Sequence, residues 1–120
     1  MTRILAVDDS PSMRDMVRIA LTGAGFEVEQ AADGREALDI ARKTAFDLVL
    51  SDVNMPVMDG IELIRALRAE SAYRHTPILM LTTESSVERK REGKEAGATG
   101  WIVKPFDPAQ LVATMHRVLR

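Results

Sequence analysis

The stretch Ile4-Leu5-Ala6-Val7-Asp8-Asp9-Ser10-Pro11 changes character twice. Its four consecutive apolar side chains, with no polar alternation, suit a strand buried on both faces of a parallel sheet. The run stops abruptly at two aspartates. Ser10 then offers an acceptor for a helix N-terminus, and Pro11 falls at the first helical position, where the missing N–H is harmless. Met13, Met16, Val17, Ala20 and Leu21 follow at helical spacing, and Gly23 and Gly25 end the helix. A buried strand that passes through acidic residues into a capped helix is the opening unit of an α/β chain.

Working outward, the same unit recurs. Phe26-Glu27-Val28-Glu29-Gln30 alternates with period two, as a half-exposed strand does. Asp33-Gly34 opens a second helix carrying Ala37, Leu38 and Ala41. Leu48-Val49-Leu50 is a buried-type strand ending at Ser51-Asp52. It runs into the loop Asn54-Met55-Pro56-Val57-Met58-Asp59-Gly60, where Asp59-Gly60 reads as turn chemistry. A third helix carries Ile61, Leu63, Ile64 and Leu67. Pro77 introduces the strand Ile78-Leu79-Met80-Leu81, which ends at Thr82-Thr83. Ser85 or Ser86 caps a fourth, very polar helix with only Val87 and Ala96 to bury. Trp101-Ile102-Val103 is the fifth strand, ending at Lys104-Pro105; Trp101 is expected to cover the sheet edge. Asp107 and Pro108 open a last helix with Leu111, Met115, Val118 and Leu119 on one face. Met13, Met16, Met80 and Met115 read as core.

Five strands alternating with five helices predict an α/β fold, a doubly wound parallel sheet with helices on both faces. Only the second strand alternates, which puts it at an edge and favours the flavodoxin-like strand order 2-1-3-4-5. The 120 residues, 46% hydrophobic and 28% charged, fit one domain over 1–120. A net charge of -2 gives no electrostatic footprint for nucleic acid or an anionic membrane. Without cysteine there is no disulfide, thiolate metal site or thiol chemistry, whereas an oxygen-ligated metal stays open. No apolar run approaches the ~20 residues of a membrane span. The core-like segment begins too near Met1 to leave room for a signal peptide. A cytoplasmic monomer is expected.

Ligands of open parallel sheets bind at the carboxyl ends of the strands, where the order reverses, here between the first and third strands. Asp8, Asp9 and Asp52 converge there. Carboxylates packed together repel unless they take up protons or bind a cation, and an all-oxygen set suits Mg2+. The fourth strand adds the hydroxyl of Thr82, the fifth the ammonium of Lys104. This set fits phosphoryl transfer: a carboxylate can attack phosphorus, while a cation, an ammonium and a hydroxyl neutralise the phosphoryl oxygens. Asp52, alone at the centre of the sheet, is the candidate nucleophile.

The segments Val7-Asp8-Asp9-Ser10, Asp52-Val53-Asn54-Met55-Pro56 with Asp59-Gly60, Leu81-Thr82-Thr83 and Val103-Lys104-Pro105-Phe106 resemble bacterial response-regulator receiver domains. They stand in the right order and together span the chain. The stretch from Glu92 to Phe106 is most similar to single-domain chemotaxis regulators of the CheY type. The resemblance implies a phosphorylation-dependent switch of a two-component system. Asp52 would accept the phosphoryl group from a CheA-like histidine kinase. Asp9, Asp52 and the backbone carbonyl of Asn54 would ligate Mg2+, with Asp8 acting through water. Lys104 would pair with the phosphoryl group, and its bond to Pro105 would be cis. Thr82 would move toward the phosphoryl group and release an aromatic switch on the fifth strand, a Tyr or Phe in the family and Trp101 here. Asn54 and Glu84 occupy positions that tune hydrolysis. Output would pass to a protein target through the fourth helix, fifth strand and fifth helix, with a phosphatase as a further partner. Beyond its own phosphorylation and dephosphorylation, no enzyme activity is expected.

Plainer readings compete. Asp8 and Asp9 can serve a helix N-terminus, and Arg89-Lys90-Arg91 with Lys94 can be a solvated face rather than a partner surface. His75 and His116 stand alone and have no role assigned. A phosphohydrolase of the haloacid dehalogenase type would need an acid-base Asp where Asn54 stands. A phosphorylation-independent adaptor of the same fold, or a receiver excised from a larger regulator, would carry the same pattern.

Overall fold

A computed structural model describes residues 1–120. Its strands are β1 (Arg3–Val7), β2 (Glu27–Ala31), β3 (Leu48–Ser51), β4 (Ile78–Thr82) and β5 (Gly100–Val103). Its helices are α1 (Pro11–Gly23), α2 (Gly34–Lys43), α3 (Gly60–Arg68), α4 (Val87–Ala96) and α5 (Pro108–Val118), with a 3-10 turn at Ser71–Tyr73. All pairings are parallel and the order is β2-β1-β3-β4-β5, as the patterning predicts. The apolar runs of β1, β3 and β4 are buried on both faces, whereas β2 alternates and β5 is part-exposed, as befits the two edges.

Two apolar layers sandwich the sheet. On one side Val17, Leu21, Leu111 and Met115 of α1 and α5 pack against Ile4, Leu50, Leu79 and Leu81. On the other, Ala37, Leu38, Ile61, Ile64 and Leu67 of α2 and α3 pack against Leu5, Val7, Val49 and Met80, with Ala96 and Trp101 at the margin. No helix is long and apolar enough to cross a membrane.

Side-chain caps set the helix starts. Ser10 accepts from Met13, Asp33 from Glu36 and Ser86, rather than Ser85, from Arg89. Asp59 does more than make a turn. With Glu62 it forms a capping box that satisfies two backbone N–H groups at the start of α3.

Three details differ from the sequence expectation. Met16 is not core: it is 52% exposed, because the buried face of α1 is the narrow stripe of Val17 and Leu21. Val87 is 71% exposed, and the buried residue of α4 is Gly93. Phe26 lies before β2 rather than within it and is buried, so the alternating strand is Glu27–Ala31.

Candidate functional site

The parallel ladder carries the acidic residues to one end of the sheet. The Asp52 N–H donates to the Val7 carbonyl at 2.9 Å and the Asp8 N–H to the Ala31 carbonyl at 3.1 Å, so both aspartates continue their strands by one residue. On the fifth strand's side, the Lys104 N–H donates to the Thr82 carbonyl at 2.8 Å. The peptide bond from Lys104 to Pro105 is cis, as the family resemblance implies. Gly60 lets the start of α3 close on β3: its N–H donates to the Val53 carbonyl at 2.8 Å, and a Cβ there would collide with the backbone of Asp52 and Val53.

One ammonium ties the cleft together. Lys104 Nζ donates to Asp8 Oδ2 at 2.7 Å and to Asp52 Oδ2 at 3.1 Å. The remaining carboxylate oxygens are held locally, Asp8 Oδ1 by the Ser10 N–H at 2.9 Å and Asp52 Oδ1 by the Val53 N–H at 2.7 Å. Burial alone pulls the Lys104 ammonium down, but the hydrogen bonds and attraction of Asp8 and Asp52 outweigh it and hold its pKa above the ordinary lysine value. The lysine therefore stays charged.

Asp8, Asp9 and Asp52 each offer an oxygen within 4.8 Å of the others; Asp8 and Asp52 are buried and Asp9 is exposed. Against these three carboxylates Lys104 is the single cation in an ion pair, so the acidic groups outnumber their paired cation. That excess, the hard oxygen donors and an open side at Asp9 fit a divalent cation. Asn54, two residues past Asp52, is exposed, and no backbone N–H donates to its carbonyl.

Thr82 is fully buried at the end of β4, and its hydroxyl oxygen accepts the Glu84 N–H at 3.1 Å. The Trp101 indole N–H donates to the Glu84 carbonyl at 2.8 Å, and the Glu84 carboxylate accepts from the Ser86 hydroxyl at 2.8 Å. The fold thus gathers Asp8, Asp9, Asp52 and Lys104 directly, and links Thr82, Glu84 and Trp101 in a chain beside them. The sequence did not single out Arg14, whose guanidinium donates to the Asp8 carbonyl at 2.6 Å and braces the turn from β1 to α1. A helical arginine four residues past Ser10 looks like any solvated cation until the turn is folded.

The family model of the response regulator receiver domain matches residues 4–116. The chain belongs to this family. Chemotaxis protein CheY-3 of Vibrio cholerae is 41% identical over 117 residues, covering 97% of this chain and 90% of that protein. The solved structure of the Vibrio cholerae chemotaxis protein CheY4 is 61% identical, with a TM-score of 0.95 and 98% of each chain covered. The receiver domain of the sensor histidine kinase PA1611 from Pseudomonas aeruginosa, described with a magnesium ion coordinated in its active-site cleft, is 30% identical at a TM-score of 0.92. That match covers 98% of this chain and 97% of that one. This receiver is therefore similar throughout its length to chemotaxis regulators of the CheY type.

Proposed function

We propose that this receiver is a phosphorylation-operated signalling switch in chemotaxis, with Asp52 as the phosphoryl acceptor and Mg2+ as its cofactor. The observation that supports it most is the Lys104 ammonium bridging Asp8 and Asp52 within a cluster of three carboxylates. A group that already spans the nucleophile and its neighbour is positioned to follow a phosphoryl oxygen when charge arrives there.

The donor is a phosphorylated histidine of a CheA-like kinase. An Asp52 carboxylate oxygen attacks phosphorus, the P–N bond breaks, and the leaving imidazole nitrogen keeps the electron pair and takes a proton from solvent. In hydrolysis water attacks the same phosphorus, the P–O bond to Asp52 breaks, and inorganic phosphate leaves. Asp9, Asp52 and the Asn54 carbonyl would hold Mg2+, with Asp8 acting through water, and the ion would supply positive charge for phosphoryl transfer. Lys104 takes one phosphoryl oxygen and the Thr82 hydroxyl another; Asn54 and Glu84 set how readily water enters. Drawing Thr82 inward biases a pre-existing conformer of α4 and β5, and the face of α4, β5 and α5 carries the signal to its protein target. Apart from its own phosphorylation and dephosphorylation, the protein is not an enzyme.

Intact mass after incubation with acetyl phosphate tests this directly. One Mg2+-dependent, hydrolysable phosphoryl adduct is expected on the parent and none on Asp52→Asn. An adduct that persists on Asp52→Asn, or no adduct on the parent, overturns the assignment.

A further inference from the structure

Gly93 lies inside α4, where glycine is a poor helix former and its conformational freedom is not used. The left-handed cap of this helix is a different residue, Gly97, with φ of 112°. What distinguishes Gly93 is space. A Cβ at this position would stand 2.7 Å from Cζ3 and 3.3 Å from Cε3 of the Trp101 indole. Such an approach to a rigid ring requires the ring or the helix to move. Gly23, also within a helix, would meet nothing within 4 Å. Gly93 is moreover the buried residue of α4, so the indole takes the place of a packed side chain.

We propose that Gly93 is a positioning residue, the seat that lets the Trp101 indole lie inward. The inward indole reaches the Glu84 carbonyl at 2.8 Å, and the N–H of the same residue reaches the Thr82 hydroxyl at 3.1 Å. Glu84 is thus held from both sides, and Thr82 is connected to α4 through one residue and one ring. The Thr82 oxygen accepts from Glu84, so its own proton is left to donate to an anion at the strand ends. Resting on the phosphorylation reading above, the seat makes the indole the far end of the path that begins at Asp52. An alanine at position 93 fills the seat, turns the ring outward and removes the donor from Glu84.

The test is a double-mutant cycle of Gly93→Ala and Trp101→Ala, followed by thermal unfolding and by emission of Trp101, the single tryptophan of the chain. In the Trp101→Ala background the seat is empty, so Gly93→Ala brings only its better helix propensity and raises Tm by about 4 °C. In the parent the same change leaves Tm level or lowers it. There the emission also shifts to longer wavelength and acrylamide quenching rises. Equal Tm changes in the two backgrounds, or an emission spectrum that Gly93→Ala leaves in place, overturn the seat.

Acetyl phosphate with Mg2+ adds the functional arm. The parent and Gly93→Ala take up the adduct at similar rates by intact mass, and the emission change that accompanies it in the parent is lost in the variant. An adduct with the same emission change in both proteins overturns the path through the seat. No adduct on the parent instead removes the phosphorylation reading, and the Tm cycle alone then decides the seat.

Discussion

Helix α3 buries Gly60, Ile61, Leu63, Ile64 and Leu67, whereas its neighbour α4, nearly equal in length, buries Gly93 alone. Burial of each large apolar side chain of α3 contributes about 1.5–3 kcal/mol, so that helix is fixed by its own face. Helix α4 is held by polar ties to α3 at both ends. At its start, the Arg89 guanidinium meets the Asp59 carboxylate, the cap of α3, at 3.5 Å. At its end, the Gly97 and Ala98 N–H groups close the last turn onto Lys94 and Gly93. The Arg68 guanidinium then donates to the Gly97 carbonyl at 2.8 Å from Nη2 and 3.1 Å from Nε. Between those ties sits the indole on Gly93. An element held by a few polar contacts and one ring, rather than by a buried apolar face, can shift without opening the core.

The largest effect is expected at Leu67, fully buried on α3. Leu67→Ala should cost about 2–5 kcal/mol in urea unfolding, for lost transfer energy and the cavity left behind. Next comes Arg68, which also donates to the carbonyls of Tyr73 at 2.6 Å and Thr76 at 2.7 Å and pairs with no carboxylate. Burial holds its guanidinium pKa below the ordinary value, and the carbonyl oxygens take the place of the lost water. Arg68→Met should cost about 2–3 kcal/mol and speed amide exchange around Gly97 before that of β3. Arg68→Lys should recover only part of this, since a single ammonium cannot span all the carbonyls.

Much of this was legible in the sequence, and the reason differs by region. Strands β1, β3 and β4 announce themselves as unbroken apolar runs because both faces of a parallel sheet are covered. Asp8, Asp9, Asp52, Thr82 and Lys104 follow because strand ends in such a sheet share one edge. The ties of α4 were not legible. Arg68 reads as a surface cation, since its partners are backbone carbonyls that exist only once the turn at Ser71–Tyr73 and the end of α4 have folded. Gly93 reads as one more residue of a polar helix, because its meaning lies in a ring on the next strand. Met16 shows a related limit: helical spacing marks a face of α1 but not how wide that face is.

At high pH the comparison moves into the cleft. The Lys104 pKa is raised in the folded state, so its contribution is fully present below the ordinary lysine value of about 10.4 and is lost as pH rises through the higher folded value. Tyr73, whose phenol burial pushes up, adds to the same decline because the unfolded phenol ionises first. Stability measured in urea from pH 9 upward should therefore fall, and Lys104→Met should flatten that fall to the part left by Tyr73. An identical slope in Lys104→Met would remove the ion pairs from the account of stability.

The smallest effect, and the sharpest test of the contrast, is expected at Arg89. Its ion pairs with Asp59 and Glu92 are long and only partly shielded, with Arg89 26% exposed. Pairs of this kind contribute about 0–1 kcal/mol. Arg89→Ala should change global stability by less than about 0.5 kcal/mol while roughly doubling amide exchange in the first turn of α4, where the tie to α3 is lost. Exchange in α3 should stay at the parental rate, because burial rather than this pair holds that helix. A global loss at Arg89 as large as that of Leu67→Ala would mean that α4 is as integral to the core as α3, and the division between a packed helix and a tethered one would fail.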